Sequence, residues 1–230
     1  MNRYLFLGII FVVNNIDWVV MANKYSSNTT KSFNFWRHLF QYVACKWVII
    51  NIVRCKYNFI KTVGRENIER NKKYILASNH ITGFDPFLVA AEVCCPTAYM
   101  AKIQLFETFW SMVLMNWCGA FVVNRDKVDV STIKTALSLK KTNWHLGIFP
   151  QGTRSNNGKL ENIMKGFASI AKKLEADVLP VAVVVKEKPN SKKKDFQIKV
   201  GKPISYTEEN LVDKWGYAVA ELGDLEYIPS

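Results

Sequence analysis

Beyond Gly64, short apolar runs rich in β-branched residues take turns with stretches of helical period, a pattern that leaves few architectures open. The runs Tyr74–Ser78, Thr97–Ala101, Ala120–Asn124, Leu146–Phe149, Val178–Val185 and Phe196–Val200 read as strands. Between them, Phe87–Cys95, Phe106–Trp117, Val130–Lys140 and Met164–Leu174 read as helices, and a last helix is expected over Glu208–Leu222. Strands joined through helices run the same way in a sheet, so the expectation is an α/β fold with a mostly parallel sheet flanked by helices. The segment KEKPNSKKKD, from Lys186 to Asp195, reads as a charged turn joining two strands.

Upstream, residues 33–61 read FNFWRHLFQYVACKWVIINIVRCKYNFIK, with Trp36, Phe40, Val43, Trp47 and Ile50 recurring at three- and four-residue steps. That period predicts a helix. Arg37, Lys46, Arg54 and Lys56 break it too often for a lipid-spanning segment, yet basic residues mixed with Phe, Trp and Tyr suit a helix lying in the headgroup region of a membrane. The alternative is a helix packed on a core, its lysines and arginines simply solvated. The aromatic density, higher than one packed face needs, favours the membrane surface. Earlier still, an apolar run from Tyr4 to Val13 behind Arg3 has the outline of a signal peptide. Asn14, Asn15 and Asp17 interrupt it short of the roughly 18 apolar residues that span a bilayer, and no small-x-small cleavage site follows. The expected organisation is an N-terminal amphipathic, membrane-associating helical segment over residues 1–64 and a single α/β domain over residues 65–230.

Charge narrows the partners. Lysine and arginine number 31 against 19 aspartates and glutamates, a net charge of +12, while 49% of the 230 residues are hydrophobic. That apolar content excludes disorder, and the length excludes a small disulfide-stapled scaffold. A chain this basic wants an anionic partner: nucleic acid, anionic lipid headgroups or a phosphorylated small substrate. No nucleic-acid module accompanies the charge, so none is expected as a partner. The cysteines Cys45, Cys55, Cys94, Cys95 and Cys118 are odd in number and lack CxxC spacing, which argues against a metal or redox centre. They fit a reducing, cytoplasmic-side compartment, with Cys94 and Cys95 as small core residues.

Three strand ends carry residues capable of chemistry. After YILAS comes Asn79-His80-Ile81-Thr82-Gly83-Phe84-Asp85-Pro86. Pro86 suits a first helical turn and Asp85 the cap before it, which gives Asp85 an ordinary structural explanation. With four residues between them, however, Asp85 can fold back to hold one nitrogen of His80 and leave the other as a general base. The segment GAFVVNR delivers Arg125 at a second strand end, and Lys102 stands just past a third. Cations there are poised to meet an anion, because ligands in α/β folds collect at the carboxyl ends of strands. In FPQGTRS, Gly152 permits close backbone approach, Thr153 offers a hydroxyl, and Arg154 presents a planar fork matched to phosphate oxygens.

The segments SNHITGFDPF, AYMAKIQLF, GAFVVNR, IFPQGTRSNNGKL and VLPVAV, in this order and spacing, resemble the glycerolipid acyltransferase family over about Tyr74 to Ile204. The resemblance implies catalytic roles for His80 and Asp85, which match the family's N-H-x-x-x-x-D motif. It implies binding of the acceptor phosphate by Arg125, Gly152, Thr153 and Arg154, with Lys102 as a further candidate, and a site-shaping role for the block that contains Pro180. The implied reaction moves a fatty acyl group from acyl-CoA or acyl carrier protein to 1-acyl-sn-glycerol 3-phosphate. The thioester is a co-substrate, and no metal or other cofactor is expected. Glycerol 3-phosphate or another lysophospholipid as acceptor, a non-catalytic lipid-surface protein, and a phosphate-ester hydrolase are the alternatives. The implied location is the cytoplasmic face of a membrane. Two positions depart from the family pattern: Gln151 stands where glutamate is usual and Asn124 where aspartate is frequent. Both exchanges keep hydrogen bonding while removing negative charge, and the first is expected to free Arg154 for phosphate.

Overall fold

Successive side chains of the run Tyr74–Ser78 enter different cores, Ile75 and Ala77 one, Tyr74 and Leu76 the other. A strand with that alternation and no polar face must lie inside a sheet covered on both sides. The computed structural model describes residues 33–69, 71–93, 96–123, 130–187 and 193–229. It begins with helix α1 (Phe35–Val43), which continues through a wider π-helical turn (Ala44–Ile49) into α2 (Ile50–Lys56). Strand β1 (Tyr57–Val63) and strand β2 (Tyr74–Ser78) follow, then α3 (Asp85–Val93), β3 (Thr97–Lys102), α4 (Phe109–Trp117) and β4 (Phe121–Val123). Next come α5 (Val130–Ser138), β5 (His145–Ile148), β6 (Lys159–Leu160), α6 (Gly166–Leu174), β7 (Asp177–Lys186), β8 (Lys194–Val200), α7 (Leu211–Gly223) and β9 (Glu226–Tyr227).

Seven strands form one sheet in the order β1-β8-β7-β2-β5-β3-β4, and β6 pairs separately with β9. Every neighbouring pair in the large sheet is parallel except β7 and β8. Those two run antiparallel with Lys186 opposite Asp195, the ends expected for the charged turn. Helices α5, α6 and α7 contribute Ala136, Phe167 and Trp215 to the core on one face; α3 contributes Leu88 and Val89 to the core on the other. The expected α/β fold with a mostly parallel sheet is therefore the observed one. Because β2, β3, β4 and β5 all run one way, their carboxyl ends meet along a single edge.

The expected helix over residues 33–61 is corrected at its end. Helix α2 stops at Lys56, and Tyr57–Val63 form β1, paired in parallel with β8 as in Thr62↔Ile198 and Val63↔Lys199. Tyr57 is buried against Phe196, ring centroids 5.5 Å apart. The partner that makes this segment a strand lies more than a hundred residues away, so local period could not reveal it.

Helix α1 also faces the opposite way from an ordinary surface helix. Its inward positions are Arg37 and Gln41, 6% and 3% exposed, while Phe35, Trp36, Leu39 and Phe40 point outward with Trp36 at 67%. Arg37 is thus not a headgroup cation: it donates to the carbonyl of Asn116 at the end of α4, and burial lowers its pKa to about 10. The Gln41 amide bonds both backbone groups of Thr97, donating to its carbonyl (2.6 Å) and accepting from its N–H (3.1 Å), and donates to the Cys118 carbonyl (2.7 Å). Polar side chains here fasten the helix, and apolar ones are left outside. No helix of the described residues is long and apolar enough to cross a membrane. The apolar run at residues 4–13 and the pair Cys94 and Cys95 lie outside the described residues.

Candidate active site

His80 leaves the carboxyl end of β2, and Asp85 opens α3 five residues later. The His80 Nδ1–H donates to Asp85 Oδ2 at 2.8 Å. The same oxygen accepts the N–H groups of Ile81 (2.6 Å) and Thr82 (2.8 Å), and Oδ1 accepts the Thr82 hydroxyl (2.6 Å). A capping carboxylate would take N–H groups downstream, inside its helix. Asp85 takes upstream ones instead, so its work is to fold the loop back beneath the imidazole. The carboxylate is fully buried, while the His80 side chain keeps 15% of its surface open. With Nδ1 engaged, Nε2 is the nitrogen left for chemistry.

Asn79 anchors the start of this loop. Its side-chain amide donates to the Val183 carbonyl (2.9 Å) and accepts from the Val183 N–H (2.7 Å). The β2–β7 ladder ends at Ser78↔Val181, so the amide supplies one more rung where the backbone has turned away. The second anchor comes from the loop after β5. There the Gly152 N–H closes a tight turn onto the Phe149 carbonyl (2.8 Å) with φ at 67°, a conformation glycine adopts without strain. Three residues later the Ser155 N–H donates to the His80 carbonyl (2.9 Å), which ties the loop that bears Arg154 to His80.

One cavity of about 880 Å³ collects these parts. His80, Lys102, Gly152, Thr153 and Arg154 all line it, as does Gly83, which lies beside the Arg154 guanidinium. Neither Lys102 nor Arg154 forms an ion pair or hydrogen bond among the described residues, and both are exposed. Beyond these groups and the amides of Gln41 and Gln104 the wall is apolar or weakly polar: Ala90, Tyr99 and Met100, then Cys45 from the π-helical turn, Met115 from α4 and Cys118 at its end. Burial raises both thiols, Cys118 to about 11, so they stand as protonated wall groups at neutral pH. Arg125 lies outside the described residues; Val123, two residues before it, lines the cavity. Among the described residues no group of three His, Cys, Asp or Glu side chains is arranged to hold a metal ion.

Gln151 and Pro180 lie elsewhere. Gln151 lines a separate cavity of about 310 Å³ that Arg154 does not line, with its amide donating to the Lys159 carbonyl (3.4 Å), a bond that a carboxylate could not make. Pro180 sits within β7 opposite Ala77 and lines neither cavity. Sequence reasoning missed Thr82, Asn79 and the aromatic wall at Phe149, whose ring stacks on His80. The first two were visible within the motif itself, as side chains able to satisfy backbone or carboxylate partners in a tight loop.

The sequence model described as Acyltransferase matches residues 59–184. The chain is 29% identical over 126 residues to a 1-acyl-sn-glycerol-3-phosphate acyltransferase of Borreliella burgdorferi, a match covering 54% of this chain and 50% of that one. It is 28% identical over 151 residues to the Bacillus subtilis protein of the same name, covering 63% and 73%. The match therefore spans about half the length of the first of these relatives. Among solved structures, the crystal structure of the 1-acyl-sn-glycerophosphate (LPA) acyltransferase PlsC from Thermotoga maritima superposes with a TM-score of 0.54 at 20% identity. That likeness, over 96% of this chain and 86% of the other, is one of fold.

Proposed function

Because the chain belongs to the acyltransferase family, we propose that it transfers a fatty acyl group from acyl-CoA or acyl carrier protein to the free hydroxyl of 1-acyl-sn-glycerol 3-phosphate, giving phosphatidic acid. The observation that carries this reading is one cavity in which a carboxylate-backed imidazole meets two cations without an ion pair among the described residues and a largely apolar wall. Nε2 of His80 takes the hydroxyl proton, and the alkoxide oxygen attacks the thioester carbonyl carbon. Collapse of the tetrahedral adduct breaks the carbon–sulfur bond, and the imidazolium returns its proton to the departing thiolate. Asp85 orients the ring and balances the charge that forms on it. Lys102 and Arg154 hold the acceptor phosphate, joined by Arg125 as the family resemblance implies, so the hydroxyl is delivered to the base. Gly152 and Thr153 shape the turn that presents Arg154. The chemistry uses the thioester as co-substrate and calls for no other cofactor.

The enzyme works at the cytoplasmic face of a membrane, against anionic headgroups. Support comes from the outward aromatic face of α1 and its continuation on α4, where Phe109, Trp110, Leu114 and Trp117 are exposed and Trp117 meets Phe40 with ring centroids 5.4 Å apart. Both helical segments border the cavity, through Gln41 and Met115, so an acyl chain could pass from lipid to the site without crossing water.

The test is incubation of the protein with labelled acyl thioesters and a panel of acceptors, read by the lipid formed. Phosphatidic acid from 1-acyl-sn-glycerol 3-phosphate is the expected product; product from glycerol 3-phosphate alone would reassign the acceptor. His80→Ala is expected to lower turnover by about 10² to 10⁴ while leaving vesicle binding intact. Vesicle binding with no acyl transfer to any acceptor would favour the non-catalytic alternative.

A further inference from the structure

The face of the His80 imidazole is covered. Phe149 lies against it with ring centroids 4.2 Å apart and planes inclined by 23°. Tyr99 stacks on Phe149 in turn, at 5.7 Å and 16°. This second ring rests on the backbone of Gly147, where an added Cβ would fall 2.3 Å from a Tyr99 ring carbon. The stack therefore runs from the surface of the sheet up to the base, and a glycine in β5 makes room for it. We propose that Phe149 is a positioning residue for the reaction: Asp85 holds one edge of the imidazole, Phe149 holds its face, and together they keep Nε2 turned into the cavity. The Phe149 ring also presents its electron-rich face to the imidazolium that forms when His80 takes the proton. This inference rests on His80 acting as the base, as argued above.

The competing role for Phe149 is that of a passive wall, since it also lines the cavity. A wall residue governs how well substrate binds; a positioning residue governs how fast bound substrate reacts. The experiment compares Phe149→Leu and Phe149→Tyr with the unaltered protein by steady-state kinetics and by proton NMR of the histidines. Phe149→Leu is expected to lower kcat about tenfold with KM for the acceptor unchanged, and Phe149→Tyr to restore it. The chain has three histidines, so His80→Ala identifies the His80 resonance. Its Cε1–H signal is expected upfield in the unaltered protein and in Phe149→Tyr, and to move downfield in Phe149→Leu. A folded Phe149→Leu with undiminished kcat, or with only a raised KM, overturns the proposal. Should Phe149→Leu fail to fold, an unshifted His80 signal in the unaltered protein overturns it equally. Full turnover in His80→Ala would instead sink the assignment of the base, which separates the two failures.

Discussion

His145 and His80 are the same side chain put to opposite uses by their surroundings. His145 starts β5 at the far end of the sheet from the cavity, 8% exposed, with its Nδ1 accepting the Tyr74 N–H at 3.0 Å. Burial, reinforced by the nearby Lys73 ammonium, lowers its pKa from 6.5 to about 4. The folded protein keeps this ring neutral, whereas the unfolded chain binds a proton below pH 6.5. Its contribution to stability is thus complete above pH 6.5 and lost as the pH falls toward 4, a difference of about 3 kcal/mol. Urea unfolding followed from pH 7 to pH 4 is expected to show that loss, and His145→Gln, which can still accept the Tyr74 N–H, is expected to flatten it. His80, in contrast, gains a carboxylate on one edge and an opening on the other. The sequence supplied both residues of that pair and their spacing. Thr82, the donor to Asp85 Oδ1, was present in the same motif, but that its hydroxyl would take this oxygen depends on the detailed path of the loop.

At the scale of elements, two side-chain amides fill a role normally held by backbone. Asn79 bonds the N–H and carbonyl of Val183, and Gln41 bonds those of Thr97. The first ties the loop that carries His80 to β7; the second ties α1 to the start of β3, and through Cys118 to the end of α4. Gly119 makes the second contact possible, since it holds φ at 83° and an added Cβ would lie 3.1 Å from the Gln41 amide nitrogen and 2.4 Å from Trp144. Gln41→Leu would leave the Thr97 N–H and two carbonyls buried without this partner. The expected cost is about 3 kcal/mol, measured as a lower midpoint in urea with an unchanged slope. A helix period was legible over residues 33–61, of which the helix keeps the part up to Lys56, but which side of the helix would face the protein was not. Apolar periodicity alone points a stripe inward, and here Gln41 and Arg37 take the inward side.

For the molecule as a whole, that inversion leaves Trp36 and Trp47 on α1 and its π-helical extension, and Trp110 and Trp117 on α4, all exposed on a chain of net charge +12. A surface of this kind is expected to bind anionic vesicles more tightly than neutral ones, with binding weakened by salt. Replacing Trp36 and Trp110 together by serine should weaken vesicle binding about tenfold or more, read by vesicle flotation, with the melting temperature unchanged because neither ring is buried. An unaltered affinity would mean that the lipid contact lies elsewhere. The amino-acid order by itself determined the α/β class, six of the seven strands of the main sheet to within two residues at each end, and the His80–Asp85 pair, because period and loop chemistry are local properties of the chain. Only the tertiary structure decided that residues 57–63 are a strand, that Gln151 and Arg154 line different cavities, and that Phe149 lies on the imidazole. The first and last of those outcomes are contacts between segments distant in sequence, whose energy exists only once the sheet has brought the partners together, and the second depends on how the loop after β5 folds onto itself.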